Sequence, residues 1–236
     1  MDVSYLLKCY EAGQRDFIGI DLRGANLKGA TLIGVNLTGA NLTGANFSRA
    51  FLTKANLSET FLNWADLSFA KLSEGDLSNA DLTKANLAGA FLVKANFVGA
   101  KLSGANLSNC NLRSANLHRA NLCSAKLEGI NLRNATLSRA NLNWANLSGA
   151  RLSGANLQGA FLNGVNLKGA YLNGLDLQGI DLSGVNLTES NLHTKTSNRG
   201  LEGLHFAPYL SAVNGGTPQI SVDHLIDIDV PKMALD

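Results

Sequence analysis

Ala40-Asn41-Leu42-Thr43-Gly44-Ala45-Asn46-Phe47-Ser48-Arg49-Ala50-Phe51-Leu52-Thr53-Lys54 is one five-residue phrase written three times. Its large apolar stops, Leu42, Phe47 and Leu52, belong to a series that runs without a slip from Phe17 to Leu192, 36 consecutive units with Leu or Phe at every stop. From Ile20 onward the residue two before each stop forms a second column, mostly Ala, as at Ala25, Ala30, Ala40 and Ala45. A period this regular decides the architecture before any other feature does.

Neither common element accommodates it. Five residues advance an α-helix by about 500°, which scatters successive leucines around the axis. On a straight strand an odd period sends alternate leucines to opposite faces, and half of them meet water. Both columns face inward only if the chain turns a corner in every unit. Four corners make a square coil of about 20 residues, and coils stacked about 4.8 Å apart pair their backbones as parallel ladders. The spacing therefore predicts nine coils in a column roughly 40 Å long, filled with leucine, each worth about 1.5 to 3 kcal/mol on burial.

Eighteen glycines fall two residues after the central Leu or Phe, from Gly19 to Gly184, where a type II turn needs φ > 0. From Arg49 through Lys84 other residues hold this position, Trp64 and Phe69 among them. Their Cβ atoms predict a type I or type IV turn in that stretch.

Units such as Ala40-Asn41-Leu42-Thr43-Gly44 and Ala105-Asn106-Leu107-Ser108-Asn109 resemble the pentapeptide-repeat family over about three quarters of the chain. The resemblance implies an all-β solenoid, a right-handed quadrilateral parallel β-helix of about nine coils. Asp2-Val3-Ser4-Tyr5-Leu6-Leu7, leading to Asp16-Phe17, is similar to the N-termini of cyanobacterial members. Val3, Leu6, Leu7 and Tyr10 have helical spacing, with Asp2 placed to cap the start and Gly13 to end it. The expected organisation is a capping helix in residues 1–14, the β-helix in 15–195, and a C-terminal cap or tail in 196–236. In that last segment Leu201, Leu204, Phe206, Tyr209 and Leu210 would cover the final coil, with partly disordered chain beyond Gly215-Gly216.

Composition narrows the function classes. The 20 basic and 18 acidic groups leave a net charge of +2, so no global field points to nucleic acid or an anionic membrane. Cys9, Cys110 and Cys123 fit neither a disulfide framework nor a zinc site. No signal segment or membrane span is evident, and a cytoplasmic location is expected. His118, His193, His205 and His224 are scattered, Asp66, Asp76 and Asp81 fall on three different outer faces, and the Asn residues read as hydrogen-bonding ladders. No catalytic group, metal or cofactor is implied, and the chain is expected not to be an enzyme.

What remains is the outer surface. With residues 20 apart stacked, Phe51, Lys71, Phe91, Arg151 and Tyr171 share one column, Arg113 and Arg133 another, and Lys54 and Lys94 the nearby corner. Glu74 is the one acid among them. This basic, aromatic face is the candidate docking site for an acidic partner, a protein first and nucleic acid as the weaker alternative. A second aromatic set, Phe61, Trp64, Phe69, Trp144 and Phe161, is a further candidate, and either could be a homodimer seam. The expected function is a protein-interaction scaffold or regulator. The alternative follows the quinolone-resistance branch of the family the chain resembles, whose members imitate DNA and bind DNA gyrase. The basic face and the absence of a loop interrupting the coils count against that branch.

Overall fold

A computed structural model describes residues 2–177 and 179–191. The chain divides into two compact units, Met1–Phe206 and Ala207–Asp236, and the described residues all belong to the first. The expectations for 196–236 and for His193, His205 and His224 lie outside the described residues.

Helix α1, Val3–Glu11, opens the chain. Asp2 caps it by accepting the Tyr5 N–H at 3.3 Å, and Gly13 follows with φ +99. The helix buries Leu6 completely, while Val3, Leu7, Cys9 and Tyr10 pack against the same core. The Tyr10 hydroxyl donates to the Ile33 carbonyl at 2.9 Å, and the Arg15 guanidinium lies 3.9 Å over the Tyr10 ring.

From Asp16 onward the backbone climbs in square coils. Parallel bridges join residues 20 apart in four ladders that start at Asp16, Asp21, Asn26 and Thr31. These ladders name the four sides in chain order. Leu and Phe stops from Phe17 to Leu182 fill the interior, with alanines of the second column between them. The side chains buried with a polar atom, Ser48 and Thr60, are satisfied: Thr60 Oγ1 donates to the Leu57 carbonyl at 2.6 Å and Ser48 Oγ to Asn46 Oδ1 at 2.7 Å.

The common unit, with Asn or Asp before its Leu, disposes of its five backbone N–H groups in one way. Leu22 donates to the Asn41 carbonyl at 2.8 Å, Gly24 to Thr43 at 2.9 Å, and Asn41 back to Ile20 at 2.9 Å, so three bonds tie coil to coil. Ala25 donates to Leu22 at 3.0 Å and closes the turn. The fifth N–H belongs to the residue after the central Leu, and the ladder has no carbonyl for it. Asn or Asp just before the Leu takes it through Oδ1, as Asn36 does for Thr38 at 3.1 Å and Asp66 for Ser68 at 3.0 Å. The commonest phrase of the repeat thus contains its own side-chain acceptor.

The turns overturn one expectation. The corner position has φ between 55 and 71 at every unit from Gly19 to Glu189, Arg49 (59), Trp64 (57), Phe69 (57) and Lys84 (58) included. Among the described residues the one preceding the corner is never in the left-handed region, so the turns from Arg49 through Lys84 are type II where type I or IV was expected. A left-handed Cβ costs about 1 kcal/mol. The stack overrides that cost because the corner N–H is itself a ladder donor, Phe69 to the Ala88 carbonyl at 2.9 Å and Trp64 to Thr83 at 3.2 Å. A turn of another type would move that donor and the next side out of register.

Cys110 replaces an alanine of the inner column. Its thiol donates to the Leu87 carbonyl at 2.8 Å, and burial pushes its pKa up to about 12. Folding therefore favours the neutral thiol. The stabilisation is complete below the unfolded value of about 8.5 and is lost as pH rises toward the folded one. The unfolding midpoint of the native chain should fall more steeply between about pH 9 and 11 than that of Cys110→Ala. Equal slopes in a pH series of thermal melts would refute this. At the corners, Gly149→Ala, with nothing within 4 Å of the new Cβ, should cost about 1 kcal/mol. Gly164→Ala should cost more, because its Cβ would stand 2.6 Å from Trp144 Cδ1. In a Trp144→Ala background the two costs should converge, as denaturant midpoints will show.

Candidate functional site

The fifth N–H makes some outer positions conspicuous. Where Phe, Lys or Arg replaces Asn or Asp in a ladder, the side chain offers no acceptor and the local bond, worth about 0.5–1.5 kcal/mol, is given up. On the Thr31 side this happens in three successive coils, at Phe51, Lys71 and Phe91, and again at Arg151. The adjoining side, with Asp16, Asn36, Asn56, Asp76, Asn96 and Asn116, keeps its acceptors throughout that height.

Phe51, Lys71, Phe91, Asn111, Asn131, Arg151 and Tyr171 form one unbroken ladder. The Lys71 ammonium lies 4.4 Å from the centroid of the Phe51 ring, so the charge sits on an aromatic face while staying open to solvent. Phe51, Phe91 and Tyr171 are 37%, 48% and 49% exposed. Arg113 and Arg133 follow Asn111 and Asn131, which fix their backbones by accepting their N–H groups at 3.3 Å. At the trailing corner, Lys54 and Glu74 approach to 3.8 Å, and Lys94 occupies the next coil.

The second aromatic set does not stay together. Phe69 is a corner residue between the Asn26 and Thr31 sides, and its ring reaches forward over the next coil: a Cβ at Gly89 would meet Phe69 Cε1 at 2.6 Å. Gly89 is two residues before Phe91, so Phe69 borders the basic face. Arg49, one coil earlier in the same corner column, holds its guanidinium 6.0 Å from the Phe69 ring. The patch with the densest basic and aromatic character therefore spans three coils: Arg49, Phe51 and Lys54, then Phe69 and Lys71, then Phe91 and Lys94. Sequence reasoning placed Phe69 with Phe61 and Trp64 through proximity in the chain, and it missed Arg49. The remaining four, Phe61, Trp64, Trp144 and Phe161, belong to the Asp21 side and its far corner.

His118 is paired by its Nδ1 with Ser138 Oγ at 2.8 Å. Among the described residues no group of His, Cys, Asp and Glu stands close enough to hold a metal ion, and no helix is long and apolar enough to cross a membrane.

Five-residue units stacked at intervals of 20 are also what the sequence comparison finds. A family model described as pentapeptide repeats matches residues 20–59, 62–97, 92–129, 115–154 and 150–189. The chain belongs to the pentapeptide-repeat family. Members of this family form right-handed quadrilateral β-helices. Among solved structures, it is similar to HetL, a pentapeptide repeat protein involved in heterocyst differentiation regulation from the cyanobacterium Nostoc sp. strain PCC 7120. The two are 35% identical with a TM-score of 0.59, covering 80% of this chain and 92% of HetL. QnrB1, a plasmid-mediated fluoroquinolone resistance protein, is 18% identical over 75% of this chain and 91% of its own, with a TM-score of 0.48. No curated protein matches the chain.

The missing acceptors make a stability prediction. Phe91→Asn should accept the Val93 N–H as Asn96 accepts that of Val98 at 3.2 Å. The variant should be more stable than the native chain by about 0.5–1 kcal/mol in denaturant titration, although it removes an exposed ring. A loss of stability would show that Phe91 is held for packing.

Proposed function

We propose that this protein is a non-enzymatic interaction scaffold or regulator that binds an acidic protein partner on its Thr31 side, and that it works in the cytoplasm. The observation that carries the reading is the run Phe51, Lys71, Phe91, where a structurally useful acceptor is absent in three successive coils and a solvent-facing ring or charge stands in its place. Exposed apolar residues scattered singly need no explanation, but a stacked column flanked by Arg49, Lys54, Lys94, Arg113 and Arg133 does. Aromatic rings supply anchoring area at small entropic cost, and the surrounding bases select a partner of opposite charge and speed its approach. A filled β-helix interior has no room for a small substrate, which directs function to the outside. Similarity to HetL, which takes part in regulating differentiation, supports a regulatory setting for this chain.

Affinity capture from a lysate of the source organism, with the intact chain beside a Phe51→Ser, Phe91→Ser, Arg113→Ser, Arg133→Ser variant, tests the reading. The partner should be an acidic protein, retained by the native chain, lost by the variant and released as salt rises. Equal capture by both, or retention insensitive to salt, would show that binding lies elsewhere.

A further inference from the structure

The Asp21 side carries two clusters five coils apart, and they match each other. In one coil the side runs from Glu59 at its leading corner through Phe61 in the ladder to Trp64 at its trailing corner. In a later coil the ladder residue is Phe161, and both corners are glycine, Gly159 and Gly164. Those glycines are covered by the preceding coil's corner residues. A Cβ at Gly159 would stand 3.5 Å from Arg139 Cγ, and one at Gly164 would stand 2.6 Å from Trp144 Cδ1. The surface presented at that height is therefore Arg139, Phe161, Trp144, in the same order across the side as Glu59, Phe61, Trp64 but with the corner charge reversed. All four rings are more than half exposed, and among the described residues neither Glu59 nor Arg139 is in an ion pair.

Symmetry turns this match into an interface. When two copies meet side to side about a two-fold axis lying in the interface and perpendicular to the coil stack, the stacks run antiparallel while each corner meets its own counterpart. We infer that a second copy of this chain binds there: Glu59 against the partner's Arg139, Phe61 against the partner's Phe161, and Trp64 against the partner's Trp144. The same axis brings all three pairs together twice to within one coil rise, with the forward reach of Arg139 and Trp144 making up the offset. It passes between Lys101 and Asn121, midway between the clusters, which lie about 24 Å apart. Lysine then faces asparagine there, and no charge meets its own image. Sheets packed about 10 Å apart leave room for facing Phe side chains, and the indoles are free to stack with an offset. A two-fold parallel to the stack would instead set the Glu59 corner against the Trp64 corner, with nothing to pair.

Sedimentation velocity on the full chain over a concentration series tests the arrangement. The native chain should reach a dimer. Glu59→Arg and Arg139→Glu should each weaken it about tenfold or more by facing like charges, and the double swap should restore it to within a few fold. Both sites are exposed corners already in the left-handed conformation, and circular dichroism will confirm that the variants fold. Phe61→Ser with Phe161→Ser should give a monomer, whereas Phe51→Ser with Phe91→Ser, on the opposite side, should leave the dimer unchanged. A native chain that stays monomeric at the highest concentration, single swaps without effect, or a double swap that does not recover would each overturn the inference.

Discussion

The hydrogen bond from each corner N–H to a carbonyl in the next coil governs everything else in this molecule. It exists only if the corner residue is left-handed and the chain returns after 20 residues to the same place. One inserted residue would misplace every donor above it, so the register is kept through the whole repeat. The same bond explains how tryptophan and phenylalanine adopt a backbone conformation that their own preferences oppose. A local penalty of about 1 kcal/mol is weighed against two ladder bonds and the burial of a leucine in the same unit.

This constraint divides the repeat into positions with different freedom. The central Leu and the Ala before it are enclosed by neighbouring coils, and a change of volume there is felt on both sides. The Asn or Asp between them faces outward yet is still constrained, because its Oδ1 closes the one backbone N–H that the stack leaves over. Where it is an Asn, its Nδ2 can also donate to the coil before, as Asn96 does to Asp76 at 2.9 Å. A lost acceptor therefore marks a position where a local hydrogen bond has been given up. The marker is not absolute: the N–H that Phe161 leaves at Asn163 is taken by Asn143 from the previous coil at 2.9 Å.

Much of the interior was readable from spacing because it rests on one number, the odd period, and one rule, that leucine avoids water. The columns of the four sides follow from the same arithmetic. The turns were misread because the argument at Trp64 and Phe69 used only local preference, and the stack is a tertiary effect that outweighs it. The position of Phe69 was misread for a different reason. Where the next coil's corner is glycine, the corner side chain covers it, so a ring such as Phe69 belongs to the surface 20 residues ahead of it. A signal was present in the sequence: Phe69, Asn79, Asn109, Asn134 and Trp144 are each followed 20 residues later by glycine, the residue with no Cβ to obstruct them. Arg49 escaped notice because it is separated from Phe69 by a full coil in the chain and by one coil rise in space.

The two candidate faces also bear on each other. In a four-sided coil the Asp21 and Thr31 sides are opposite, so joining two copies through the first leaves the second facing outward on both. The antiparallel arrangement directs these two basic, aromatic faces away from each other, each running in the reverse sense. A partner with one acidic segment would then be held at two separate places, and a partner that is itself multivalent would be bound with the avidity that linkage confers without a new contact. A rigid β-helix suits this role because the separation between sites is set by coil geometry and costs no chain entropy on binding. Assembly on one side and recognition on the other would make the β-helix a spacer of fixed width between two identical docking sites.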